Sequence, residues 1–118
     1  MQIETRLSDQ LVKYLDLAVY ETKLTAANMA NIDTPGYRTR GFNFQAELRK
    51  VLTSIDTSSG APVRVEDVDG LVSRPDGNNV SMDREGLQMS EAQLKFRTGV
   101  ALVRLENQRV MDAIHADK

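Results

Sequence analysis

The chain has 118 residues, with 15 basic side chains against 17 acidic ones and a net charge of −2. That length supports one domain with a modest core, and the near-balanced charge supplies no field for steering onto nucleic acid or an anionic membrane. The absence of cysteine excludes disulfides, thiolate catalysis and cysteine-held zinc, and a lone His115 argues against paired-imidazole metal sites and Ser/His triads.

The opening residues MQIETRLSDQ lack the basic region, long apolar run and cleavage site of a secretory signal, and no later stretch is apolar enough to span a bilayer. Two expectations fit: a cytosolic protein, or one exported by a signal-peptide-independent system. The first predicted helix covers about residues 8–32, where Leu11, Leu15, Ala18, Thr22, Thr25, Met29 and Ile32 recur in alternating steps of four and three. Ser8 is the expected N-cap, with Asp9 in the positive first turn. Leu17, Tyr20, Leu24 and Ala27 form a second line roughly opposite, so the helix is apolar on two faces.

The helix ends in Ala27-Asn28-Met29-Ala30-Asn31-Ile32-Asp33-Thr34-Pro35-Gly36-Tyr37. Small alanines allow close approach, Asn28 and Asn31 offer amides from one side, and Pro35-Gly36 suits the centre of a type II turn. In the weakly periodic stretch that follows, Phe44, Leu48, Val51 and Leu52 fit one short amphipathic helix capped by Asn43. Thr57-Ser58-Ser59-Gly60-Ala61-Pro62 reads as a flexible loop. Val63-Arg64-Val65, Asp69-Gly70 and Leu71-Val72 suggest a small hairpin or a partly ordered arm.

Asp76-Gly77-Asn78-Asn79-Val80-Ser81-Met82-Asp83-Arg84-Glu85 reads as a turn followed by a helix capped by Ser81, with Asp83 and Glu85 in its first turn. The last predicted helix, about residues 82–114, repeats the four-three rhythm through Met82, Gly86, Met89, Gln93, Phe96, Val100, Val103, Asn107, Val110 and Ile114. At roughly 1.5 Å per residue it is about 48 Å long, more than so small a chain can cover alone. Val100, Leu102, Val103 and Leu105 place apolar groups on nearly every side of its centre.

The first motif resembles the signature of the flagellar rod and hook axial protein family, an N-x-A-N segment leading into T-P-G-Y or T-P-G-F. Asn28, Ala30, Asn31, Thr34, Pro35, Gly36 and Tyr37 occupy its positions, and Met29 stands where the family usually has another aliphatic residue. The second motif, through Asp76, Gly77, Asn78, Asn79, Val80, Asp83, Arg84 and Glu85, is similar to the stretch that marks the proximal-rod type within this family. The chain is also short, whereas hook and distal-rod relatives carry larger inserted domains.

Other chemistry is set aside. Asp67-Val68-Asp69-Gly70 fails the spacing of a calcium loop, since Leu71 and Asn78 fall where ligands belong. Asp83 and Glu85, two apart on a helix, point to different sides. Arg38 and Arg40 beside Tyr37 and Phe42 suit an exposed arm touching a neighbour. No cofactor, metal or small-molecule substrate is implied.

The expected fold is mainly α, its terminal helices paired as an antiparallel coiled coil with a small irregular or β-hairpin arm between them. Residues 1–36, 37–80 and 81–118 form the first helix, the arm and the second helix of one discontinuous domain. Leu11, Leu15, Met29, Met89, Phe96, Val100, Val103, Val110 and Ile114 are the expected assembly seam. The resemblance implies a non-enzymatic subunit of the proximal rod that self-associates and leaves the cell interior through the flagellar type III export system. It further implies contact with other rod proteins, the rod-base adaptor FliE, the membrane ring and the export gate. The alternatives are a cytosolic helical adaptor or export chaperone and, more remotely, a carboxylate-dependent hydrolase.

Overall fold

The computed structural model describes residues 5–53 and 62–116. Two long helices, α1 (Arg6–Ala30) and α3 (Met82–His115), flank a short strand β1 (Arg40–Gly41), a helix α2 (Phe44–Thr53) and a second short strand β2 (Glu66–Asp67). The molecule is a rod of 69 × 26 × 21 Å with a radius of gyration of 18.3 Å, against about 13–14 Å for a compact chain of this length. No helix among the described residues is long and apolar enough to cross a membrane.

Helix α1 starts two residues before the expected Ser8. Thr5 is its N-cap, and its hydroxyl oxygen accepts the Ser8 N–H at 3.0 Å. Thr5 wins because the same hydroxyl donates to Glu106 Oε1 on α3 at 3.0 Å, so one side chain both caps α1 and ties it to its partner. The Ser81 cap of α3 and the Asn43 cap of α2 form as expected, Ser81 Oγ accepting from Arg84 N at 3.3 Å and Asn43 Oδ1 from Ala46 N at 3.0 Å.

The long helices pair antiparallel: Asn28 meets Glu85, Glu21 meets Lys95, Leu15 meets Gly99 and Thr5 meets Glu106. On α1 the face toward α3 follows Leu11, Ala18 and Thr25 as expected. Leu15 of its second line lies on Gly99 beside Tyr14, but the positions buried after it are Glu21 and Asn28 rather than Thr22 and Met29. On α3 the buried line is Glu85, Ala92, Gly99 and Glu106, seven apart and one residue before the line Gly86, Gln93, Val100 and Asn107. Small Ala92 and Gly99 let the helices approach, and a Cβ on Gly99 would lie 2.5 Å from Leu15 Cδ2 and 3.1 Å from Tyr14 Cδ1. Beyond Glu106, α3 runs nine further residues, about 13 Å, past the Thr5 cap.

The arm covers the other apolar face of α1. Leu17 is buried, the Tyr20 ring meets Phe42 edge-on at 5.5 Å, and Tyr14 meets Phe44 likewise at 5.6 Å. Lys95 joins three helices, with its ammonium 3.0 Å from the Glu21 carboxylate and 4.0 Å from the Phe44 ring centroid. The small antiparallel ribbon is present, but β2 pairs with β1, Arg40 opposite Asp67, so the connection holds α2 rather than a tight turn at Asp69-Gly70. Val68 N–H extends the pairing by donating to Thr39 O at 3.0 Å. Apart from Pro62, the loop expected at Thr57–Pro62 lies outside the described residues.

Candidate functional site

Helix α1 ends because Pro35 supplies no N–H and disfavours helix at the residue before it. Asn31, the C-cap residue, donates its own N–H back to Ala27 and Asn28 and its Nδ2 to Ala27 O at 2.8 Å. Thr34-Pro35-Gly36-Tyr37 is then a turn closed by Tyr37 N donating to Thr34 O at 3.2 Å, and Gly36 has φ +75° at its third position. That geometry is the type II turn expected from Pro-Gly.

The second motif begins with its own turn. Gly77 N donates to Arg74 O at 2.9 Å around Pro75, and Asp76 Oδ1 accepts the Asn78 N–H at 3.0 Å. The two turns lie against one another. Gly36 N donates to Asp76 O at 2.9 Å, and a Cβ on Gly77 would stand 3.4 Å from Gly36 Cα. Asn78 locks them together: its Nδ2 donates to Asn31 O at 2.8 Å and Thr34 O at 2.9 Å while its Oδ1 accepts Val80 N at 2.8 Å. The Asn31 and Thr34 carbonyls just past α1, which already accept from Thr34 N and Tyr37 N, thus gain a second donor from a residue 47 and 44 positions away in sequence.

Asn28 is the second hub. Its Nδ2 donates to Arg40 O at 2.8 Å and Glu85 Oε2 at 3.1 Å, and its Oδ1 accepts from the Tyr37 hydroxyl at 2.9 Å and Arg40 N at 3.1 Å. All four hydrogen-bonding positions of the amide are filled. Arg84 Nη1 sits 2.6 Å from Glu85 Oε1, so the carboxylate is paired, and Asn28 and Glu85 are each 1% exposed. Burial raises the Tyr37 pKa above 10.0, opposed by Arg40 and reinforced by Glu85, which keeps its hydroxyl a donor. Asn79 closes the set, its Oδ1 accepting Thr39 N at 2.6 Å. The result is a polar clasp that welds the end of α1, the start of the arm and the start of α3 into one unit.

No protein-family model matches the chain. Among characterised proteins it is 33% identical to the flagellar basal body rod protein FlgB of Salmonella typhimurium, over 85% of this chain and 86% of that protein. It is 31% identical to FlgB of Yersinia enterocolitica over 75% and 79% of the two chains, and 31% identical to FlgB of Cereibacter sphaeroides over 96% and 99%. The chain belongs to the flagellar basal body rod protein FlgB family. It is a structural component of the basal body rod and not an enzyme.

Within this rod component the two motifs, 39 positions apart in sequence at their nearest, form one clasp. Asn28, Tyr37, Asn78, Asn79 and Glu85 do so through side chains and Asn31 through its backbone carbonyl. Thr34, Gly36 and Asp76 contribute through the backbone, with the Asp76 carboxylate capping Asn78 N. Val80 is buried beneath the clasp. Ala30, Thr34, Pro35 and Asp83 face outward, Arg84 pairs with Glu85, and Met29 is half-buried. Of the other seam residues, Leu11 is buried between α1 and α3, and Leu15 lies on Gly99. Met89, Val100, Val103 and Val110 are half-buried, and Phe96 and Ile114 are more exposed.

Sequence reasoning missed Arg74, whose guanidinium donates to Ile32 O and, at 3.2 Å, to Val80 O. It also missed Thr39, Gly99 and the Glu21–Lys95–Phe44 contact. A glycine inside a helix at a seven-residue spacing from an alanine was the available signal for Gly99.

Proposed function

We propose that the chain is a building block of the proximal rod that polymerises by packing of its long helices, with the clasp as the joint that fixes where the arm projects. The observation that carries this is the outward surface of α3. Leu94, on the side away from α1, is 66% exposed, Leu87 lies seven residues before it on the same face, and Leu105, also 66% exposed, lines an open apolar concavity with Leu102, Leu7 and Leu11. A stripe of that kind on a helix longer than its partner is the surface a neighbouring helix buries. Contacts that repeat without closing a ring build an open helical wall. The proposed partners are further copies, other rod proteins, FliE, the membrane ring and the export gate, and the proposed route is the flagellar type III system.

The joint is tested by Gly36→Val. A Cβ there meets nothing within 4 Å, so the cost is backbone strain at φ +75°, on the order of 1–3 kcal/mol. Export should persist while recovery in purified basal bodies falls. Retention of the variant in the cytoplasm would make the motif an export signal instead, and normal incorporation would remove the joint altogether. Loss of export in a strain lacking the flagellar export apparatus checks the route.

A further inference from the structure

We propose that the arm tip, Asp67 to Val72, docks on the basic and apolar face around Phe96 of a second copy of this chain. This rests on the assembly reading above and names the surfaces that meet. Val72 is 88% exposed, far more than any other large apolar side chain among the described residues. It follows Gly70, whose φ of +81° turns the chain outward, and Asp67 and Asp69 beside it form no ion pair among the described residues. The tip is therefore an apolar knob carrying two free carboxylates.

The complementary surface lies on the helices. Val19, Lys23, Phe96 and Arg97 line a concavity of about 380 Å³, and Phe96 and Arg97 also line a neighbouring one that ends at Arg104. Lys23, Arg97 and Arg104 form no ion pair among the described residues, although the chain as a whole is acidic. Three unpaired cations around a shallow apolar floor match a protruding valine flanked by two unpaired carboxylates in both sign and shape. Within one subunit the tip does not reach this face. The β1–β2 pairing and the Val68-to-Thr39 bond hold it beside the clasp, and no residue of the tip lines either concavity. The contact is thus between different patches of two copies, a head-to-tail relation that leaves a tip and a face free for further copies.

The chain contains no cysteine, so single cysteines report the contact cleanly. Purified full-length Val72→Cys and Gln93→Cys, both at exposed positions, are mixed at high protein concentration and mildly oxidised. A disulfide-linked dimer should form in the mixture and not in either variant alone. Combining Gln93→Cys with Arg97→Glu and Arg104→Glu should lower the yield about tenfold, and adding Asp67→Lys and Asp69→Lys to the Val72→Cys partner should restore it. Absence of the mixed dimer overturns the proposal. So does equal linkage of Val72→Cys with itself, or with Leu105→Cys on another face. Whether the wild-type chain fractionates with basal bodies is measured separately, so failure of the rod reading is distinguishable from failure of this contact.

Discussion

At the clasp, side chains almost wholly removed from water are polar: Asn28, Asn78, Asn79, Thr39 and Glu85. Along α3 from Leu94 onward, large apolar side chains stand open to water: Leu94, Leu102, Leu105, Met111 and Ile114. This inverts the usual distribution at both ends. The Asn28 and Asn78 amides, whose partners are filled, specify one geometry, because any rearrangement leaves a donor or acceptor unpaired at low dielectric. Asn79 Nδ2 and Thr39 Oγ1, by contrast, are buried without a partner among the described residues. Exposed leucines specify nothing by themselves and gain their free energy only when another surface covers them. One region defines the shape of the subunit and the other is reserved for neighbours.

If that division holds, damage to the clasp should unfold the chain and damage to the distal stripe should not. The largest effect belongs to Asn28→Asp, which sets a second carboxylate against Glu85 and removes the donor now 2.8 Å from Arg40 O. Urea titration should show a loss of about 3–5 kcal/mol, and a change under 1 kcal/mol would mean the clasp is decorative. Gly99→Val tests the helix crossing between the two regions. With Leu15 Cδ2 2.5 Å and Tyr14 Cδ1 3.1 Å from any added Cβ, both side chains must give way, costing about 1–3 kcal/mol in the same titration.

Tyr37→Phe should cost about 0.5–1.5 kcal/mol for its single bond to Asn28, and it also sharpens the pH dependence. Burial raises the pKa of Tyr37, and burial followed by the Glu21 charge raises that of Tyr14. A raised folded pKa gives stability that is complete below the unfolded value of 10.0 and lost as pH climbs through the folded one. Denaturation midpoints should therefore fall on the alkaline side of pH 10.0, less steeply in Tyr37→Phe, and a wild-type profile flat through that range would contradict the burial argument. The smallest effect on folding belongs to Leu105→Ser, which should stay within about 0.5 kcal/mol by circular dichroism melting. The same variant should nevertheless be depleted from basal bodies, and a cooperative loss of fold on this substitution would erase the contrast.

The paired helices, the caps at Asn43 and Ser81, the stop at Pro35 and the left-handed Gly36 were all legible in the sequence, because each depends on periodicity or on the local conformational limits of proline, glycine and small polar side chains. The two motifs were legible as strings. What they do to one another was not: nothing local in Asn78 says that it satisfies the carbonyls of Asn31 and Thr34, or in Asn28 that Glu85 completes its bonds. The contact face of α3 was likewise hidden, since Glu85, Ala92, Gly99 and Glu106 carry little apolar signal. Their burial follows from close approach and from partners on the opposite helix. Tertiary structure alone decided which carboxylates are paired and which leucines are left bare, because both depend on what stands across a gap that the chain closes only after folding.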